Sequence, residues 1–178
     1  MINVDITSLK TFSVLASDGS STHLADCTAL LFKAALSFAK ENPRSEVLIF
    51  RKTLYTTLPL PLDYLLQQGV NVMRRIHIEY LSSVTELIDT ICRLHLRVAI
   101  PCAVLIDALD DYWPAESCDS AAKAGLAGLL RDLSVWLSDR NSKCEFMAHS
   151  AILVTLRNSN EISVFRNFCD FVYDCSSE

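Results

Sequence analysis

Glycine is scarce in this chain, with only four among its 178 residues. A loop that closes on phosphate uses glycines so that backbone N–H groups can approach the ligand, and a composition so poor in glycine argues against such a loop. Long apolar runs are also missing, since none approaches the roughly 18 residues that a membrane span needs. Residues 1–10 carry no apolar signal region, so we expect no membrane association.

Cysteine pairs with metal-binding or redox spacing are absent as well. The seven cysteines are scattered without a C-x-x-C pair, and the four histidines stand apart from one another. Neither a zinc site nor a thioredoxin-type motif is indicated. Scattered cysteines in odd number favour reduced thiols in the core of a protein of the cytosol or nucleus. The sequence therefore predicts no metal site.

An excess of positive charge is the third feature that the chain lacks. Its formal net charge is −5, so the surface as a whole is not suited to nucleic acid, and any DNA contact must come from a local patch or a partner. Apolar residues, by contrast, make up 51% of the chain. Together with the length, this predicts a single domain over residues 1–178 with a sizeable core.

Strand and helix patterns alternate along the chain, which predicts an α/β domain with a mostly parallel sheet flanked by helices. Ser82 or Ser83 is expected to cap a helix, because Glu86 stands at the spacing of a capping box. The predicted strands are 9–16, 46–51, 74–80, 101–109, 144–149 and 170–175. The predicted helices are 26–40, 120–137 and 160–168, together with a short helix that ends at residue 69 and a helix that begins at 82–86.

A degenerate nucleotide-binding motif follows the first predicted strand. Residues 17–33 read SDGSSTHLADCTALLFK, in the strand–loop–helix context of a P-loop, G-x-x-x-x-G-K-[ST]. If Thr28 takes the Ser/Thr position, Ser21 and Asp26 replace the glycines and Cys27 replaces the lysine. A carboxylate would then face the phosphate, so we expect neither ATP nor Mg²⁺ as a cofactor. Thr28 is expected to cap or pack in the first helical turn.

A second element of such sites is an apolar strand that ends in a carboxylate. Val104 to Asp107 has this form, and in P-loop proteins the aspartate of this strand helps to hold Mg²⁺. The alternative is that Asp107 caps the turn after the strand. Asp110 and Asp111 add negative charge there, which would repel a nucleotide in the absence of the P-loop lysine.

Two pairs of basic residues are candidates for DNA contact, with solvated turns as the alternative. They are Arg51 with Lys52 and Arg74 with Arg75. Phe32 and Ala35 fit an F-x-x-A pattern by which recombinase protomers join, but their position within a helix favours plain core. Tyr112 and Trp113 could anchor a partner or form a buried lid.

Three stretches together resemble one family. They read TALLFKAAL at 28–36, IHIEYLSSVTEL at 76–87 and LIDALDDY at 105–112, and they are similar to the helix after the P-loop, a strand with its capped helix, and the Walker B strand of RecA-like recombinase paralogues. Within that family the chain most resembles the small subunit of animal Shu-type complexes, over roughly residues 9–175.

The resemblance implies a RecA-like core and a nuclear protein of homologous recombination and DNA repair. It also implies a heterodimer with a SWIM-domain zinc-binding protein that binds single-stranded DNA and promotes recombinase filament assembly. Because the P-loop is degenerate, we expect a pseudo-ATPase without catalytic residues. The alternatives are a DNA-stimulated ATPase with an atypical P-loop, which would need Lys33 or Lys52 to reach phosphate, and an unrelated α/β protein.

Overall fold

The computed structural model describes residues 11–17, 21–113, 120–143 and 150–174, with the backbone only for 21–24 and 174. Six strands and six α-helices lie within these ranges, and they alternate except that two helices join β2 to β3. The strands are β1 (Phe12–Ala16), β2 (Val47–Arg51), β3 (Ile76–Tyr80), β4 (Ala103–Asp107), β5 (Ala151–Leu156) and β6 (Phe171–Asp174). The helices are α1 (Ser21–Glu41), α2 (Leu62–Gln67), α3 (Val70–Met73), α4 (Val84–Arg93), α5 (Ser120–Ser142) and α6 (Ile162–Phe165).

The strands form one sheet in the order β3-β2-β4-β5-β1-β6, and all of their pairings are parallel. The predicted α/β class, with a parallel sheet flanked by helices, is therefore confirmed. This layout is consistent with a Rossmann-like or RecA-like arrangement. One strand, β5, lies between β1 and β4. The degenerate nucleotide-binding motif follows β1, and β4 is the apolar strand that ends in Asp107.

Both faces of the central strands are covered by helices. Along β4, Val104 and Ile106 pack with α4, α5 and α6, whereas Ala103 and Leu105 pack with α1 on the opposite face. Side chains alternate between the two faces of a strand, so a strand buried on both sides reads as a continuous apolar run. Each fully buried aliphatic side chain of this kind contributes about 1.5–3 kcal/mol.

The order of the strands reverses beside β1. The chain leaves β1 through α1 toward β2, and it leaves β5 through α6 toward β6, with the two helices on opposite faces of the sheet. In open α/β sheets, ligands bind outside the carboxyl ends of the strands at such a switch in order. The carboxyl ends of β1, β5 and β4 are therefore the place to look for a functional site.

Several elements differ from the sequence-based expectation, and among them α5 ends at Ser142, five residues after its predicted end. Helix α1 begins at Ser21, five residues before the predicted start, and β5 was not predicted, although AILVTL is an apolar run of the buried-strand type. The predicted strand at 144–149 lies outside the described residues. None of the helices in the described ranges has the length and apolar character to cross a membrane.

The predicted cap of α4 is present. Ser83 is the N-cap, and its Oγ accepts a hydrogen bond from the Glu86 backbone N–H at 3.2 Å. In a capping box the glutamate accepts a hydrogen bond from the N–H of the N-cap residue. Here Glu86 Oε2 instead accepts from the residue before the N-cap, from the Ser82 backbone N–H at 2.7 Å and from the Ser82 hydroxyl at 2.8 Å. Each cap of this type contributes about 1 kcal/mol.

Candidate functional site

The Asp107 carboxylate is the centre of a buried polar network at the carboxyl edge of the sheet. Its side chain is fully buried at the end of β4. Oδ1 accepts from the Thr155 hydroxyl at 2.7 Å and from the Thr28 hydroxyl at 3.1 Å. Oδ2 accepts from the Arg51 guanidinium at 2.8 Å and from the Tyr55 hydroxyl at 2.8 Å. Four donors from separate parts of the chain thus converge on one carboxylate.

Strand pairing brings the charged members of this network together. Arg51 is the last residue of β2 and Asp107 the last of β4, and the two are register partners in adjacent strands. The Arg51 side chain is only 13% exposed, so its ion pair with Asp107 is shielded from water. A buried carboxylate is tolerated when it is paired and hydrogen-bonded, and both conditions hold here.

Tyr55 closes the network from the loop after β2. The Arg51 guanidinium lies 3.9 Å from the centre of its ring, and the ring packs edge-on against Phe32 and Tyr80 at centroid distances of 5.3 and 6.4 Å. Burial raises the pKa of the Tyr55 hydroxyl far above its usual value of 10, and the negative charge of Asp107 raises it further. The hydroxyl therefore stays protonated and donates to Asp107.

The backbone after β4 is bent to hold this arrangement. Ala108 has the left-handed conformation, with φ of 53° and ψ of 58°, which costs a residue with a Cβ about 1–2 kcal/mol. Its N–H donates to the Thr155 hydroxyl at 2.7 Å, and that hydroxyl donates in turn to Asp107. The bend thus fixes the orientation of Thr155, which the sequence had not singled out.

The acidic pair after Asp107 is also bound internally. Asp110 Oδ2 accepts from the backbone N–H groups of Arg157 and Asn158 at 2.8 and 3.0 Å, and Asp111 forms an ion pair with the Arg157 side chain at 2.8 Å. Burial raises the pKa of both carboxyl groups. The pair therefore joins the turn after β4 to the turn after β5 instead of facing an open pocket.

These residues do not fit a magnesium nucleotide. A carboxylate has about four lone-pair positions, and the four donors around Asp107 use them. The positive charge that a bound Mg²⁺ would supply to the carboxylate is supplied by Arg51. The geometry is that of a structural ion pair that joins α1, β2, β4 and β5, so we derive no hydrolytic step from it.

The residues of the expected P-loop lie elsewhere than the motif required. Ser21, Asp26, Cys27 and Thr28 all lie in helix α1, so they form no loop that could close on phosphate. The last three were predicted to be helical, and the correction concerns Ser21, where the helix already begins. Asp26 is exposed and Cys27 is fully buried. Thr28 lies two turns into the helix, and it contacts Asp107 instead of capping the first turn.

The end of β1 is instead joined to the end of β5. The Ser17 backbone N–H donates to the Leu156 carbonyl at 3.0 Å, and the Ser17 hydroxyl donates to the Arg157 carbonyl at 3.1 Å. Residues 18–20, which complete the connection, lie outside the described part of the chain. The contacts that are described join the carboxyl end of β1 to that of β5.

The four candidate DNA-contacting residues fall into two separate places. Arg51 and Lys52 lie at the carboxyl end of β2, whereas Arg74 and Arg75 precede the amino end of the parallel strand β3. A strand of five residues at about 3.3 Å per residue separates the two pairs, so they do not form one patch.

Only two of these four cations are exposed. Arg51 is occupied by Asp107, and Arg75 donates through Nε and Nη2 to the Ala39 carbonyl at 3.2 and 2.6 Å. Lys52 is exposed and donates to the Asp111 carbonyl at 2.9 Å. Arg74 is exposed and has no ion pair with a residue in the described ranges.

The aromatic candidates turn out to be mostly core. Phe32 and Ala35 are 6% and 0% exposed, so the F-x-x-A pattern lies in the protein core. Its position within a helix had predicted this. Tyr112 is also buried, at 3% exposed, which favours the buried-lid alternative for it. Trp113 is partly buried and lies 5.8 Å from the Lys123 ammonium.

Two network members, Tyr55 and Thr155, were missed by sequence reasoning. Thr155 was the one polar residue in an apolar run, and that was the available signal; Tyr55 lies in a loop without a pattern. Among the residues that the structure describes, no three His, Cys, Asp or Glu side chains are grouped to hold a metal ion. Comparison of the chain with protein-family models gives no match, and comparison with curated proteins gives none either.

Proposed function

We propose that this chain is a non-catalytic, RecA-like subunit of a Shu-type heterodimer. Its partner is a SWIM-domain zinc-binding protein, and the pair acts in the nucleus, where it binds single-stranded DNA and promotes recombinase filament assembly in homologous recombination. The resemblance of residues 28–36, 76–87 and 105–112 to recombinase paralogues supports the family. A non-catalytic role is supported by the filled site at the end of β4, in a sheet whose layout is consistent with a RecA-like one.

The observation that carries the non-catalytic part is the Arg51–Asp107 ion pair. Strand β4 lies two positions from β1 in the sheet. In a nucleotide site of this layout, a carboxylate at the end of that strand would hold the metal. Here the carboxylate accepts four internal hydrogen bonds and is neutralised by a tethered guanidinium. An assembly role needs a stable surface and no turnover, so a filled site is compatible with it.

Co-expression with the SWIM-domain protein of the same organism, followed by size-exclusion chromatography, tests the proposal. We expect a stoichiometric complex, and we expect no change in its melting temperature with Mg-ATP, because only a ligand that binds the native state shifts unfolding. A chain that elutes as a monomer and does not bind this partner would overturn the family assignment. Stabilisation by Mg-ATP would favour the DNA-stimulated ATPase instead.

Binding of single-stranded DNA by the heterodimer should depend on Arg74, a candidate DNA contact that is exposed and forms no ion pair with a residue in the described ranges. Each neutralised phosphate contributes about 0.7 to the slope of log affinity against log salt for single strands. We expect Arg74→Glu to weaken binding and to reduce that slope by roughly this amount. Arg93→Glu is the matched control, since Arg93 is 69% exposed but already pairs with Asp89; equal losses in both variants would remove Arg74 as a specific contact.

A further inference from the structure

Strand β3 is an edge of the sheet, and among the described strands only β2 pairs with it. Three of its five residues, His77, Ile78 and Tyr80, are exposed, whereas every residue of the interior strand β4 is buried. An unpaired edge presents a row of backbone N–H and C=O groups to which another strand can bond. Many proteins block such an edge with a proline, a lysine or a bulge, and β3 contains none of these.

The hydrogen bonds between β3 and β2 determine which backbone groups face the open edge. The ladder begins with the bond from the Val47 N–H to the Arg75 carbonyl, at 2.8 Å, and the register of the two strands runs unbroken from there. In a parallel ladder, successive residues turn their N–H and C=O groups to opposite sides of the strand, so every second residue counted from Arg75 bonds to β2. Ile76, Ile78 and Tyr80 therefore turn their backbone groups outward.

These three residues are evenly spaced about Ile78, and their side chains lie on one face of the strand. A second copy of β3, antiparallel and related by a two-fold axis through Ile78, would place Ile78 opposite itself and Ile76 opposite Tyr80. Both are hydrogen-bonded pairs, in which the two residues exchange N–H···O bonds. All of the outward backbone groups of β3 would then be bonded, and the aromatic ring of Tyr80 would lie beside a β-branched side chain, a favourable cross-strand pair.

The two polar residues of β3 favour this register over its neighbours. An axis through Ile78 places His77 opposite Glu79 of the copy, on both sides of the axis. An axis through Glu79 would place two carboxylates opposite each other, which destabilises a strand pair, and an axis through His77 would place two imidazoles together. Both side chains are partly exposed, at 45% for His77 and 31% for Glu79, so they are accessible to the copy.

We propose that the outer edge of β3 pairs with the same strand of a second copy of this chain, antiparallel about Ile78, so that one sheet runs through both copies. The occupant is a second copy because the strand complements itself in backbone bonding, in apolar pairs and in polar pairs. A two-fold contact of this kind closes on itself. Five residue pairs form a contact below the standard interface size, so we expect a dimer that forms as the concentration rises. This inference does not depend on the proposed heterodimer.

Disulfide cross-linking tests the register. The Cα atoms of a hydrogen-bonded antiparallel pair are about 5.5 Å apart, a distance that a disulfide spans. We therefore expect Ile78→Cys to give a covalent dimer under mild oxidation, seen on a non-reducing gel. Tyr80→Cys is the matched control, because Tyr80 is 41% exposed against 38% for Ile78, yet its own equivalent would lie about 13 Å or more away along the strand. The unmodified chain controls for its native cysteines.

Analytical ultracentrifugation of the full chain over a range of concentrations tests the dimer without a covalent bond. We expect Ile78→Lys to raise the dimer dissociation constant roughly tenfold or more, because it places two like charges directly opposite each other. Ile88→Lys is the control, since Ile88 is 37% exposed but lies on helix α4, and we expect it to dimerise as the unmodified chain does. Thermal unfolding verifies that each variant is folded.

Two results would overturn the inference. One is an unmodified chain that stays monomeric at every concentration; if its Ile78→Lys variant also loses the zinc-binding partner, the occupant of the edge is a strand of that protein. The other is cross-linking of Tyr80→Cys as fast as that of Ile78→Cys, which would mean random collision or a different register. Failure of the chain to bind the zinc-binding protein would end the proposed function alone, because self-association is measured without that protein.

Discussion

At the scale of single residues, Arg51 has the largest role that sequence reasoning did not assign to it. It was a candidate for DNA contact, yet its side chain lies in the protein against a fully buried carboxylate. Breaking such a pair by removing one partner is more damaging than replacing both, because the remaining charge is left buried without compensation. The network therefore stabilises the carboxyl edge of the sheet, and it leaves the Arg51 charge inside the protein instead of on its surface.

We predict that Arg51→Met destabilises the protein by about 3–5 kcal/mol. For a chain of this length that lowers the melting temperature by roughly 6–20 °C, measured by thermal unfolding. Adding Asp107→Asn removes the uncompensated charge, so the double variant should regain part of the loss. The control is Arg93→Met, which breaks an exposed pair with Asp89 and should cost at most about 1 kcal/mol; equal losses in the two single variants would contradict the role of burial.

At the scale of elements, a carboxylate just before the edge strand β6 reinforces the parallel pairing of that strand with β1. Asp170 Oδ2 accepts from the Thr11 hydroxyl at 2.6 Å and from the Phe12 N–H at 3.0 Å, and its Oδ1 pairs with Arg131 of α5 at 2.8 Å. Burial alone would raise the pKa of Asp170, but the hydrogen bonds and the Arg131 charge together lower it below its usual 3.8. Asp170 thus links β1, α5 and the start of β6.

The lowered pKa gives a pH-dependent prediction for Asp170→Asn. A carboxyl group whose pKa is lower in the folded state stabilises fully above its unfolded pKa, and it loses that contribution as the pH falls through the folded pKa. We expect the variant to be less stable at neutral pH by on the order of 1 kcal/mol, and the difference to shrink below pH 3.8.

Urea unfolding of both proteins at pH 7 and at several acidic pH values measures this difference. Asp139→Asn is the control, because Asp139 pairs with Lys143 on the exposed side of α5, where ion pairs contribute little. A stability difference for Asp170→Asn that stays constant down to the most acid point would exclude the ionised carboxylate as its source.

The elements also show how far the sequence could be interpreted. The continuous apolar runs of β2 and β4 predicted buried strands, because a strand covered on both faces has that composition. Arg51 and Asp107 were each singled out, but not as a pair, since their contact depends on β2 lying beside β4. Strand order is set by packing across the whole sheet, and the pattern along one strand does not contain it.

At the scale of the whole molecule, stability is concentrated in the middle of the sheet. Strands β4 and β5 are paired on both sides, and their residues are buried almost completely. Helices α2 and α3 have six and four residues and bury none of them. Helices shorter than about 12 residues are marginal without tertiary packing, so these two depend on the few inward contacts of Leu65, Val72 and Met73.

We predict that hydrogen exchange follows this gradient. In the isolated chain, the amides of β4 and β5 should exchange only through global unfolding, whereas those of 62–73 should exchange through local opening at much lower free energy. Hydrogen-exchange mass spectrometry resolves the two segments as separate peptides. Protection of 62–73 equal to that of β4 in the isolated chain would contradict the gradient.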